Sequence, residues 1–456
     1  MRTMDFFNIR KIFRFLPTLP EKGITPYNSV MFNFFPKYSR MMGAATACLL
    51  AMLSLPSTAQ FFNYEDAYPG VNYSSTQLTD RVSQLMEKIQ SGEVSLRHDA
   101  EGRGYLDSLL DALDIDPSSQ FLVFSKTALK TRFVTAQTPR ALYFNDDTYV
   151  GFIQDSRSLE IATMDPNVGP VFFDLSQNPE KDIAVERETN RCLRCHDTYS
   201  MTGGGVPRFL LSSVIADPMG EIVTHEISII TDTSTPLDRR WGGMYVTGTH
   251  GEQEIMGNFV VDDLDKLRNL NLAPNGNKTD LSELLDTSPY ISLGSDIVAL
   301  LVLEHQVEVQ NALTRLNFDA RTLLHAQGSI PDEKLSAMVR PLLESLFMVH
   351  EVALTDDVQG SSGYSDYFQA LGPFDGEGRS LRELDLETRT FTYPFSYLIY
   401  SKAISALPGL VKQELFRQIR EVLEGRLDDP LFTQVSESDR VAIREILQET
   451  MPVIFQ

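Results

Sequence analysis

The sequence predicts an α+β fold, β-rich in its N-terminal and central parts and mainly α-helical towards its C-terminus. Three observations carry that expectation. From Phe121 to Phe173 short β-branched and aromatic runs alternate with turn residues, the pattern of half-buried strands. From about residue 290 the apolar spacing changes to a helical period. Between these parts lies Cys192-Leu193-Arg194-Cys195-His196, a motif with a chemistry of its own.

The first 59 residues read as a leader. Arg40 precedes an apolar run from Met41 to Leu55, and Ser57-Thr58-Ala59 offers small residues for cleavage before Gln60, the layout of a secretory signal peptide. The Phe-rich stretch upstream is long for such a leader, so Met31 and Met41 are alternative translation starts. About fifteen apolar residues are too few for an uncleaved membrane span. No stable span is therefore expected after cleavage, and the destination is the periplasm.

Three regions follow the leader. Residues 60–180 form the β-rich N-terminal region, opened by a helical stretch from Ser74 to Ser91. Its strand runs are Phe121–Phe124, Ala141–Phe144, Tyr149–Ile153 and Val171–Phe173. Asn145-Asp146-Asp147 joins two of them as a hairpin turn, and Asp165-Pro166-Asn167 marks another turn.

Residues 181–290 hold the cysteine motif on a short helix starting near Thr189. Gly203-Gly204-Gly205 follows, able to adopt positive φ and let backbone approach a flat group. Phe209–Ala216 and Ile222–Ile230 flank Asp217-Pro218-Met219-Gly220 as a second hairpin. Residues 291–456 are the helical region. Ile297–Leu316 is apolar nearly all round in its first half, Pro331–His350 and Pro408–Glu424 are amphipathic, and Ser436–Met451 is the last helix. A loop over Gly360–Gly378 contains a short helix at Tyr364–Leu371.

The motif has the spacing of covalent c-type haem attachment. One turn of chain lets Cys192 and Cys195 reach the two vinyl groups as thioethers, and His196 then meets the iron as proximal ligand. The β-rich part is thus expected to surround one covalently bound haem c. Rival readings are a disulfide or redox pair, which needs no histidine after the second thiol, and a zinc site, which needs four ligands. The chain has three cysteines, and the third, Cys48, falls in the leader.

Two further sets of side chains bear on the haem. Arg239 and Arg240 are candidate propionate partners, since a guanidinium pairs bidentately with a carboxylate. His305, in the most buried-looking helix, is the candidate distal iron ligand. His250, His225, Met201, Met244 and Met256 are the other options.

Composition narrows the partners. Removal of residues 1–59, with seven Lys/Arg and two Asp/Glu, leaves 33 basic and 60 acidic residues, a net of −27. So anionic a chain does not suit nucleic acid; it suits basic periplasmic redox proteins. The roughly 397 remaining residues far exceed what wraps one haem, and the length predicts two to three domains.

Longer segments carry a resemblance. They are Arg140-Ala-Leu-Tyr-Phe-Asn-Asp-Asp147-Thr-Tyr-Val-Gly151, the Cys192–His196 motif, Arg240-Trp-Gly-Gly-Met-Tyr-Val-Thr-Gly-Thr-His250-Gly251, Leu303-Glu-His305-Gln306 and Tyr393-Pro-Phe-Ser-Tyr-Leu-Ile-Tyr400. Through them the chain resembles a family of exported bacterial cytochrome c domain-containing proteins over most of its length. The resemblance implies haem c and redox activity, and carries roles only to Cys192, Cys195 and His196.

The expected function is that of an exported mono-haem c-type cytochrome in periplasmic electron transfer. The alternatives are a haem-dependent oxidoreductase of peroxidase-like type and a haem-based sensor, each with an open distal site. Di-haem peroxidases carry two such motifs, and this chain carries one.

Overall fold

In the computed structural model, residues 67–456 are described, apart from 101, 198–204, 264, 266, 268 and 269. The leader reading falls outside these residues, as does Met201.

Two helices come first, α1 (Arg81–Gln90) and α2 (Leu106–Ala112). The predicted helix began at Ser74; it starts at Arg81 because Asp80 caps it, accepting from Val82 N and Ser83 N. Six strands then run as a purely antiparallel meander in chain order: β1 (Phe121–Val123), β2 (Arg140–Phe144), β3 (Thr148–Phe152), β4 (Ser158–Asp165), β5 (Gly169–Ser176) and β6 (Val185–Arg187). Asn145 makes the β2–β3 turn as its residues predict, its side-chain oxygen accepting from Asp147 N and Thr148 N. Asp165 does the same between β4 and β5, for Asn167 N and Val168 N.

Register decides what each face of this sheet carries. Tyr149, Ala162 and Phe172 lie side by side on β3, β4 and β5. In the next row on the same face stand Gly151, Glu160, Asp174 and Glu186. The face therefore passes from aromatic to acidic within two residues of each strand.

A one-turn helix, α3 (Leu193–His196), follows the sheet. Strands β7 (Ser212–Ala216) and β8 (Ile222–Ile230) pair as the second hairpin. The C-terminal part is helical: α4 (Ile297–Gln327), α5 (Asp332–Leu346), α6 (Tyr364–Ala370), α7 (Lys402–Ala406), α8 (Gly409–Leu423) and α9 (Glu437–Thr450).

Helix α4 organises the core. Its 31 residues start at the Asp296 cap and stop at Gly328, whose φ of 73° ends a helix without a Cβ penalty. Ile297 to Leu303 are all buried, as their unbroken apolar run requires. Farther along, the buried polar residues of α4 face the sheet. Gln306 and Gln310 bond Tyr149, Thr314 approaches Met164, and Asn317 donates to Asn167 O. Gly169, at φ 75°, lets the β4–β5 turn reach the helix, since a Cβ there would stand 2.5 Å from Thr314.

One apolar cluster runs from Val71 through the sheet and α4 to Ile454. The described residues form a single compact unit, so the three regions mark changes of secondary structure within shared packing. Among the described residues no helix is long and apolar enough to cross a membrane.

Candidate functional site

Helix α3 is a single turn. Cys195 N and His196 N both donate to Cys192 O, at 3.2 and 3.0 Å, and Asp197 N donates to Leu193 O. Positions i, i+3 and i+4 share one side of a helix, so Cys192, Cys195 and His196 are presented together. Leu193, on the other side, is buried and roots the turn in the core. Cys195 is exposed, Cys192 is half-buried, and neither forms a disulfide.

His196 is held on two sides. Its ring lies against Phe172, with centroids 4.5 Å apart. Its Nδ1–H donates to Arg208 O at 2.7 Å, and Arg208 N donates back to His196 O at 2.9 Å. A carbonyl only accepts, so this bond fixes the proton on Nδ1 and leaves Nε2 with its lone pair. Nε2 has no hydrogen bond to a described residue. Burial lowers the imidazole's pKa to about 4, so the ring is neutral at pH 7 as a metal ligand must be.

Charges surround the motif in pairs. Arg140 meets Glu160 at 3.2 Å, Lys130 meets Asp174 at 2.9 Å, and Arg191 chelates Glu188. Burial and then the Glu160 carboxylate push the Cys192 thiol up to about 11. Attack by a redox cysteine needs a thiolate, so this environment disfavours a redox pair and suits a thiol whose bonding is structural.

The residues present fit a covalent haem. Two thiols and a neutral imidazole whose Nε2 bonds no described residue share one helical turn, and the imidazole has the carbonyl partner that proximal histidines use. Among the described residues no three His, Cys, Asp or Glu side chains gather as a metal-ligand group. A porphyrin iron asks only for axial ligands from the chain, whereas zinc asks for four.

Other candidates lie elsewhere. Arg240 is 3% exposed and fully committed: Nη1 pairs with Glu304 at 2.8 Å, Nε donates to Thr235 O and Nη2 to Thr233 O. Arg240, expected at a propionate, stands as a buried tie between the central loop and α4. Arg239 is exposed, one residue from that tie. His305, expected as the distal ligand, is also partnered within the core. Its Nε2 is hydrogen-bonded with Ser396 Oγ at 2.7 Å, and its ring packs on Phe391 and Tyr397, partners it shares with no part of the motif. It is a core histidine satisfied by a hydroxyl.

His250 Nε2 accepts from Asn277 N at 3.1 Å, His225 is exposed on β8, and Met244 and Met256 are packed in the core. The structure instead gathers Phe172, Glu160, Arg140 and Arg208 at the motif, none of which was singled out from the sequence. Only Arg208 had a signal there, three residues beyond the glycines that follow the motif. No family model, curated protein or solved structure matches this chain.

Proposed function

We propose that this chain is an exported mono-haem c-type protein that passes single electrons between redox proteins of the periplasm. The observation that carries the reading is the single turn that presents Cys192, Cys195 and His196 together while Arg208 O fixes the imidazole tautomer. When bound there, the haem supplies an iron that alternates between ferric and ferrous states. Each thiol would add across a vinyl group, its sulfur bonding one carbon and its proton passing to the other, so Cys192 and Cys195 would hold the cofactor covalently. His196 Nε2 would ligate the iron, and the Nδ1–H bond to Arg208 O would raise its basicity, which favours the ferric state. Phe172 covers the imidazole's flank and keeps water from it. Without residues 1–59 the chain carries a net charge of −27, which favours basic partners in solution.

A second reading is a haem-dependent oxidoreductase or sensor with an open distal position. It is favoured by one observation, the commitment of His305 to Ser396, which removes the histidine first expected opposite His196. Carbon monoxide separates the two. Electron transfer through a doubly ligated iron predicts that the dithionite-reduced spectrum stays unchanged under carbon monoxide. A prompt shift of the absorbance maximum would overturn that reading in favour of the open site.

A further inference from the structure

Arg208 contributes more than its carbonyl. Its side chain is half-buried, and its Nε is sealed from solvent with no hydrogen-bond partner among the described residues. Three other arginines near the motif have partners for their charge: Arg140 has Glu160, Arg191 has Glu188, and Arg187 has the carbonyls of Tyr73 and Ser74 and the Tyr73 ring, although the Nε of Arg140 and of Arg187 is unpartnered too; Arg194, inside the motif, is exposed. No ion pair among the described residues uses Arg208.

Its electrostatic surroundings make this costly. Burial lowers its pKa, and Arg315 lowers it further. The one opposing carboxylate, Asp319, pairs with Arg315 at 3.6 Å. By sequence, the segment between His196 and Arg208 holds one acidic residue, Asp197, which acts on Tyr73 and Tyr68. A half-buried guanidinium with a second cation beside it is a site for an anion.

We propose that Arg208 binds a haem propionate, the same residue thereby gripping the cofactor's iron ligand with its carbonyl and the cofactor's carboxylate with its guanidinium. The assignment rests on the haem reading above. The side chain leaves the backbone at the residue whose oxygen holds the His196 imidazole, so an arginine's length could carry its guanidinium to the edge of a group bound at Nε2. The guanidinium offers its fork to the propionate, which supplies the negative charge that Arg208 lacks. Arg208 is a positioning and charge-balancing residue; it does not touch the iron.

The test uses holoprotein matured with haem c, comparing wild type with Arg208→Gln, Arg208→Lys and Arg315→Gln. Haem content is read from the pyridine haemochrome, and midpoint potential is followed against pH. Loss of a cation beside the haem favours the ferric state, so Arg208→Gln keeps its covalent haem but has a lower midpoint. Its freed propionate also adds a proton-linked step to the potential at about pH 4 to 7. Arg208→Lys falls between the two, and its propionate bending band in resonance Raman shifts, because a point charge replaces the fork.

Identical potential curves for Arg208→Gln and wild type, or an equal shift in Arg315→Gln, would overturn the assignment, the latter by showing a general field effect. Where Arg208→Gln does not assemble, an unshifted Raman band in Arg208→Lys overturns it. Wild type without covalent haem would instead overturn the haem reading itself.

Discussion

His196 and His305 are both imidazoles driven neutral by burial, yet their surroundings give them different work. His196 keeps the lone pair on Nε2 because Arg208 O takes the proton of Nδ1. His305 spends its Nε2 on Ser396, 91 residues away in sequence. The sequence showed a histidine in an apolar helix and could not show that hydroxyl, which is why a ligand was expected there. Arg240 was hidden in the same way, because its partner Glu304 lies 64 residues on. The cysteine motif was legible because all its parts lie within one helical turn.

His305 also yields a pH prediction. Burial depresses its pKa to about 3, below the unfolded value of 6.5. Stability from the neutral ring is therefore complete above pH 6.5 and is lost as pH falls towards 3, because only the unfolded chain takes the proton. The slope is about 1.4 kcal/mol per pH unit, or about 2 kcal/mol by pH 5. Urea unfolding at pH 7 and pH 5 is expected to show a smaller acid loss in His305→Gln than in wild type. Equal losses would mean that His305 is not the neutral core group described here.

Elements were legible where one short segment held the whole signal. The turns at Asn145 and Asp217, the Asp332–Leu346 and Gly409–Leu423 helices, and the Ser436 cap of the last helix all stand where local residues place them. Strand β4 escaped notice because its outward positions, Ser158, Glu160 and Ala162, dilute the apolar alternation of Leu159 and Ile161. Strand β6 has three residues and helix α2 seven, too few for a periodic signal.

The element with most depending on one residue is α4. Asp296 caps it through Val298 N and Ala299 N, and its second oxygen accepts from Ser361 N, Ser362 N and Ser362 Oγ. One buried carboxylate thus ties the helix start to the loop before α6. Asp296→Ala is expected to cost about 2–4 kcal/mol, combining a lost cap with stranded amides. Asp296→Asn keeps the cap on Val298 N and Ala299 N but replaces the second oxygen with an NH2 that cannot accept from Ser361 and Ser362, so it recovers only the cap's share. Denaturant midpoints measure both, and an Asn variant as unstable as the Ala variant would show that the cap contributes little.

At the scale of the molecule, the motif sits where the sheet, a single-turn helix and the segment before β7 meet. Phe172 on β5 supports the ring of His196, and Phe209, ahead of β7, packs on both Phe172 and Tyr149. Asn311 on α4 fixes Phe209 by bonding its N–H and its carbonyl at 2.9 Å each. The long helix therefore holds the wall behind His196.

The central claim is that Cys192 and Cys195 bind one haem covalently, and an intact mass of the denatured protein after expression with a haem c maturation system tests it most directly. The account predicts a chain heavier by one haem, with Cys192→Ala/Cys195→Ala at the bare polypeptide mass. A wild-type chain at the bare mass, or a double variant that still carries the added haem, would contradict it.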